Sequence, residues 1–202
     1  MFLMNILYSQ DANGCHQDSI AAHTVTIIKD ILTADLPQEL DDMPEHLKDS
    51  FYPYEDRPPV ILSDPEGRVQ MTFQILKKEL RDADTRKAAQ AVHRYTEYFY
   101  SRNELSPVYI NRSGEVPVGW FLMEMELGDL KCHHIKAVRT VLGKLCLMTV
   151  TYPEEECIKW QAVLKRLYLT LQERNGKDGE SQQPGYGLDA SGDAANVWQR
   201  RE

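Results

Sequence analysis

Val60-Ile61-Leu62-Ser63-Asp64-Pro65-Glu66-Gly67-Arg68-Val69-Gln70-Met71-Thr72-Phe73-Gln74-Ile75-Leu76 reads as a β-hairpin. In its second arm Val69, Met71, Phe73 and Ile75 alternate with Arg68, Gln70, Thr72 and Gln74. A period of two puts alternate side chains on opposite faces, so this strand buries its apolar face and turns its polar face outward. The Asp-Pro-Glu-Gly link supplies a proline with preset φ and a glycine free to take positive φ, as a tight connection requires.

Downstream the pattern changes to a helix. Asp82 or Asp84 offers an N-cap. Ala88, Val92, Tyr95 and Phe99 recur at helical spacing as an inner face, with Arg86, Lys87, Arg94 and Glu97 outside. Val108-Tyr109-Ile110 is the next strand. Ser113-Gly114, Gly128-Asp129 and Gly143-Lys144 then punctuate the runs Val118–Leu127, Leu130–Leu142 and Leu145–Tyr152 into an antiparallel meander. Val118, Trp120 and Leu122 face one way and Phe121, Met123 and Met125 the other, so this strand is expected to be covered on both sides. Thr151-Tyr152-Pro153-Glu154 matches a capping box for a last helix. Trp160, Val163, Leu164, Leu167 and Leu171 form that helix's apolar stripe.

Upstream, Met4–Ser9 is a candidate short strand and His23–Ile28, rich in β-branched residues, a clearer one. Residues 35–56 hold eight acids against the single Lys48. Such a run reads as a solvated helical loop or as a docking surface for a basic partner. Pro44 suits the start of a short helix toward Tyr52. From Asn175 onward Gly, Ser, Gln and Asp dominate, a composition that buries too little apolar area to offset its ordering entropy. The expected organisation is an N-terminal extension or short strand over 1–22, one domain over 23–174 and a flexible tail over 175–202.

A formal net charge of −8 argues against non-specific nucleic-acid binding, which draws on Lys and Arg to replace phosphate counterions. No apolar run approaches the ~20 residues of a membrane span, and Met1–Tyr8 lacks the basic flank of a signal peptide. Cys15, Cys132, Cys146 and Cys157 are irregularly spaced, as suits reduced thiols in the cytoplasm.

The order of elements and several motifs resemble the PsbP-like fold group. The residues that carry the resemblance are Arg57-Pro58-Pro59-Val60, Asp64–Phe73, Val118-Gly119-Trp120-Phe121, Gly143-Lys144-Leu145 and Thr149–Trp160. That group includes the extrinsic photosystem subunit, DcrB-type bacterial lipoproteins, the Ran-binding Mog-type protein of yeast and the Eag chaperones of type VI secretion. The chain looks like an intracellular bacterial branch of it. The resemblance implies an α+β fold, a largely antiparallel sheet sandwiched between helices, and usually a non-enzymatic role in binding another protein. Its motifs are turns, strands and a helix start, and no metal site carries over.

Catalytic signatures are missing. Gly143-Lys144 lacks the glycine and hydroxyl of a P-loop, since Val138 and Leu145 stand there. There is no G-x-S-x-G, H-E-x-x-H or C-x-x-C. In Cys132-His133-His134, a strand would send His133 to the opposite face from its neighbours, which works against a metal site. No cofactor is called for. The leading expectation is a protein-binding or adaptor module, for instance a secretion-associated chaperone. The alternatives are a hydrolase with a non-local Cys or carboxylate site, and a structural domain that forms homo-oligomers. Candidate partner-binding anchors are Tyr98 and Tyr100 on the central helix and Tyr186 and Trp198 in the tail.

Overall fold

The computed structural model describes residues 21–174. The strand expected at Met4–Ser9 and the tail from Asn175 lie outside the described residues. The hairpin that opened the reading is present as β4 (Val60–Ser63) and β5 (Gln70–Glu79), paired antiparallel. Gly67 takes a φ of 70°, and the Asp64 carboxylate accepts the Val69 N–H at 2.9 Å to close the turn.

Around it the chain lays down β1 (Ala22–Ile28), β2 (Leu32–Pro37), β3 (Asp41–Asp42) and α1 (Glu45–Phe51) before the hairpin. After it come α2 (Thr85–Phe99), β6 (Tyr109–Asn111), β7 (Val118–Leu127), β8 (Leu130–Val141), β9 (Lys144–Pro153), α3 (Cys157–Thr170) and β10 (Gln172–Glu173). Strands β3-β4-β5-β9-β8-β7-β6 form a seven-stranded sheet, antiparallel at each pairing, and β1-β2-β10 a smaller one. The class is α+β, a largely antiparallel sheet between helices.

One face of the large sheet carries Met71, Phe73, Met148, Val150 and Tyr152. These join Trp160, Val163, Leu164 and Leu167 of α3 and Leu32, Ala34 and Leu36 of β2 in a continuous buried core. The stripe expected on the last helix is therefore the inner face of α3. Arg139 is 1% exposed and ties the end of α3 and β10 to this face. Its guanidinium donates to the Leu171 carbonyl at 2.7 Å and lies 3.8 Å from Glu173.

Four local readings are corrected. β2 lies where a solvated loop was expected to begin, because Leu32, Ala34 and Leu36 alternate into the core and outweigh the acids beside them. Thr151 is not an N-cap: it pairs with Gln70 and His134 inside β9, which continues to Pro153. A 3-10 turn over Glu154–Glu156 leads into α3. The β-branched run Thr149-Val150-Thr151, held on both sides, favours strand over cap. Asp84 stands at the start of α2 but makes no capping bond, since its carboxylate pairs with Arg81 at 2.7 Å. The inner face of α2 is rotated by about one residue, to Thr85, Ala89 and Thr96, with Val92 beside them, and Tyr95 is exposed. The reason is Gly119: a Cβ there would stand 2.7 Å from Ala89 Cβ and 3.2 Å from the Thr85 carbonyl oxygen. At Gly119 the helix lies so close to β7 that only a small side chain, Ala89, fits between them.

The acid run is largely met within the chain. Asp35 pairs with Arg166, Glu39 with Lys159, Asp42 with Lys48, and Glu45 and Asp49 with Arg57. The pairs of Lys48, Glu45 and Asp49 tie α1, none of whose residues is buried, to Asp42 and Arg57.

Candidate functional site

Antiparallel pairing brings side chains from neighbouring strands into rows, and on the face opposite α3 those rows are polar. Gln70, Thr151, His134 and Met123 stand in one row; Thr72, Thr149, Lys136 and Phe121 stand in the next. The Thr72 and Thr149 hydroxyls are 2.7 Å apart, and Thr151 Oγ1 lies 2.7 Å from His134 Nδ1. Gln74, Leu147, Val138 and Gly119 form a third row, where α2 closes down on the sheet.

Gln70, Thr72, His134, Lys136, Thr149 and Thr151 of the first two rows, with Gln74 and Leu147 of the third, are the floor of a groove of about 460 Å³. Phe51, Tyr52 and Tyr54, at the end of α1 and in the loop after it, roof one side. The Tyr52 hydroxyl donates to Gln70 Oε1 at 2.9 Å, and Gln70 donates onward to the Gly67 carbonyl at 2.9 Å, which links the roof to the hairpin turn. Phe99 and Tyr100 at the end of α2 form a second wall; Met123, Met125 and Leu127 of β7 form a third. The groove thus has apolar and aromatic walls over a floor of hydroxyls, amides and one ammonium, the balance common to ligand sites.

Lys136 is the charged centre of that floor, 4% exposed, with its ammonium 5.4 Å from the centre of the Tyr100 ring. Burial pushes its pKa down from an ordinary 10.5 to about 8, so it stays cationic at neutral pH. Asp56 and Arg57 stand at the rim, and Arg57 is already engaged by Glu45 and Asp49.

Of the residues singled out in the sequence, Tyr100 lines this groove. Tyr98 is 78% exposed and packs edge-on against Phe99, their ring centres 5.1 Å apart. Tyr95 lies 4.7 Å from the same ring, so the end of α2 presents an aromatic cluster beside the groove. Tyr186 and Trp198 lie outside the described residues. The sequence reading missed Lys136 and the threonines, whose alternation on β5, β8 and β9 looks like an ordinary solvent face until a roof is placed over it.

Cys132-His133-His134 divides as strand geometry requires. His134 faces the groove, and His133 packs edge-on to Tyr152 at 5.5 Å in the opposite layer. Burial lowers the pKa of His133 against the opposing influence of Glu124 and Glu154, and neither ring nitrogen has a hydrogen-bond partner among the described residues. It borders a second cleft of about 490 Å³, lined by Glu104, Glu124, Glu126 and Glu154 together with Arg102 and Lys131. Among the described residues no three His, Cys, Asp or Glu side chains are grouped to hold a metal ion. Burial raises the thiol pKa of Cys132 and pushes that of Cys146 up to about 12, which keeps both protonated and gives a nucleophilic role no support. No described helix is long and apolar enough to cross a membrane.

No protein-family model matches the sequence, and no curated protein matches it significantly. Solved structures do. The PsbP protein of the cyanobacterium Synechocystis aligns with a TM-score of 0.53 at 13% identity, over 80% of this chain and 98% of its own. LpqN of Mycobacterium tuberculosis, involved in cell envelope biogenesis, aligns with a TM-score of 0.46 at 8% identity, over 78% and 87%. A variant of the protein Mog1 gives 0.46 at 11% identity, over 73% and 86%. At such identities the likeness is one of architecture. The seven-stranded antiparallel sheet with α3 on one face and α1 and α2 on the other is the PsbP-like fold.

Proposed function

We propose that the protein is a protein-binding module that receives a segment of a partner protein in the groove between α1, the end of α2 and the strands β5, β9, β8 and β7. The observation that carries this reading is the half-covered sheet face. α2 covers one half of it against Leu145, Leu147 and Val138, while over the other half a cavity remains beneath Phe51, Tyr54 and Tyr100. A sheet face roofed by aromatic side chains, with methionines on one wall, suits a chain segment whose side chains alternate between apolar and polar contacts. Methionine adapts to varied partners, and tyrosine is enriched at interface anchors. Tyr98, exposed beside the groove, extends the same surface. A cytoplasmic setting with reduced thiols fits this role.

The test is selection of random twelve-residue peptides displayed on phage against the full chain, followed by methyl NMR with the bound peptide. The expected result is that selected peptides shift the Met123 and Met125 methyl signals of the groove wall and leave those of Met71 and Met148, buried on the other face, in place. Failure to select any peptide, or shifts confined to the Met71 and Met148 layer, would refute the reading.

A further inference from the structure

Acids are treated differently in two parts of this chain. Asp35, Glu39, Asp42, Glu45 and Asp49 are met by Arg166, Lys159, Lys48 and Arg57. Glu104, Glu124, Glu126 and Glu154, around the cleft of about 490 Å³, form no ion pair among the described residues, although Arg102 and Lys131 line the same cleft. They arrive from three elements: Glu104 from the segment after α2, Glu124 and Glu126 from one face of β7, and Glu154 from the 3-10 turn before α3. Acids at a surface are ordinarily left to water. The imidazole beside these sets them apart. His133 lines the cleft, is 2% exposed, and has neither ring nitrogen hydrogen-bonded among the described residues. The pairing of β7 with β8 sets Glu124 directly opposite it, Tyr152 flanks it edge-on from β9, and Glu154 acts on it from the turn. Burial lowers its pKa below the usual 6.5, so at neutral pH the ring is uncharged and holds one N–H and one lone pair. Buried polar atoms are seldom left without a partner, and here the described chain supplies none.

We infer that this cleft receives a guanidinium group, the end of an arginine side chain of a partner protein, held between the His133 imidazole and the carboxylates of Glu124 and Glu154. A metal ion is a poorer occupant: among the described residues no three His, Cys, Asp or Glu side chains are grouped to hold one. A guanidinium carries its donors in one plane, so it can give one N–H to the imidazole lone pair and others to the carboxylates. It is also more weakly hydrated than an ammonium, which favours arginine over lysine where the receiving nitrogen is buried. Met125 lines both this cleft and the groove, so a segment lying in the groove has the cleft beside it. The source of the guanidinium therefore rests on the protein-binding reading; the site itself does not.

The site is tested by NMR titration of the full chain with N-acetylarginine methylamide at neutral pH, following the imidazole Cε1–H signals. The expected result is a saturable shift of the His133 signal, little movement of the exposed His23 and His46, and no response to the uncharged isostere N-acetylcitrulline methylamide. Glu124→Gln and Glu154→Gln, both at exposed positions, should each weaken binding by roughly 2- to 5-fold, as for single exposed ion pairs. An unmoved His133 signal or an equal response to the citrulline probe would overturn the site. So would equal shifts at His23 and His46, which a diffuse attraction to a chain of net charge −8 would give. The source is tested separately. Phage-selected peptides are expected to carry an arginine whose replacement by citrulline weakens binding by about 10-fold, the worth of a charge-assisted hydrogen bond. If N-acetylarginine methylamide binds but the selected peptides carry no arginine, the guanidinium belongs to a small molecule and the partner assignment is overturned. If no peptide is selected, the protein-binding reading fails and takes the partner source with it, while the titration still decides the site.

Discussion

The two faces of the seven-stranded sheet are built from the same strands and do opposite things. On the α3 side, Met71, Phe73, Ile135, Ala137, Met148, Val150 and Tyr152 are each 3% exposed or less and close into one apolar core. On the other side the residues between them in sequence are Gln70, Thr72, His134, Lys136, Thr149 and Thr151, and half of that face is roofed without being filled. Apolar burial stabilises a fold at roughly 25 cal/mol per Å², whereas a roofed polar row contributes little and a buried ammonium opposes folding. The difference teaches that packing and openness are divided between faces: one side is closed by an apolar core, and the other leaves room for a groove.

The largest expected effect tests the closed face. Leu164, 2% exposed, sits in the core between α3 and the sheet. Leu164→Ala should cost about 2–5 kcal/mol, the usual toll of a large-to-small core change. Chemical denaturation measures it, and an unchanged midpoint would show that α3 does not seal this face.

Lys136 gives the next effect, opposite in sign. Its pKa is about 8 in the folded protein against an ordinary 10.5, so between those values the unfolded chain binds more protons than the folded one. Stability should therefore rise as pH climbs from about 8 to 10.5, and the penalty is fully present below about 8. Lys136→Met should raise stability at neutral pH by up to about 3 kcal/mol and flatten that rise. The readout is the difference between the two proteins' stability profiles. A variant less stable than the parent at pH 7 would mean that Lys136 supports the fold and that the groove floor is ordinary core.

Gly119 marks the boundary between the sealed and open halves of the second face. Gly119→Ala would force a Cβ to within 2.7 Å of Ala89 Cβ and should cost about 1–3 kcal/mol by overpacking. Ala89→Gly in the same chain should recover part of this, because the Thr85 carbonyl oxygen, at 3.2 Å, remains close. If Gly119→Ala is neutral by thermal unfolding, α2 is not pressed onto β7 and the division of that face is wrong.

The sequence made the closed face readable and hid the open one, for a physical reason. Alternating Val69, Met71, Phe73 and Ile75 announce a buried face because water excludes them wherever the strand lies. Alternating Gln70, Thr72 and Gln74 look the same whether they meet solvent or a roof, since both satisfy their hydrogen bonds. Only register, set by long-range pairing, brings Thr72, Thr149 and Lys136 into one row. The face of α2 was misread by one step for a similar reason. Tyr95 offers more apolar area than Ala89, but a close approach at Gly119 admits the smaller side chain. Tyr100 was singled out by residue type; that its ring lies against a buried lysine was not legible.

The smallest expected effect is the most discriminating for the floor. Thr72 and Thr149 satisfy each other across β5 and β9 at 2.7 Å. In a dry core, Thr149→Val would strand the Thr72 hydroxyl and cost about 1–3 kcal/mol, the desolvation penalty of an orphaned polar group. On a groove floor the same hydroxyl turns to water, so the cost should stay below about 1 kcal/mol. Changing both, Thr72→Val with Thr149→Val, removes donor and acceptor together and should be neutral or stabilising in either environment. The contrast therefore lies in the single variant alone. Calorimetric unfolding that places Thr149→Val well below both the parent and the double variant would mean that the groove floor is sealed, and the distinction between the two faces of the sheet would collapse at its centre.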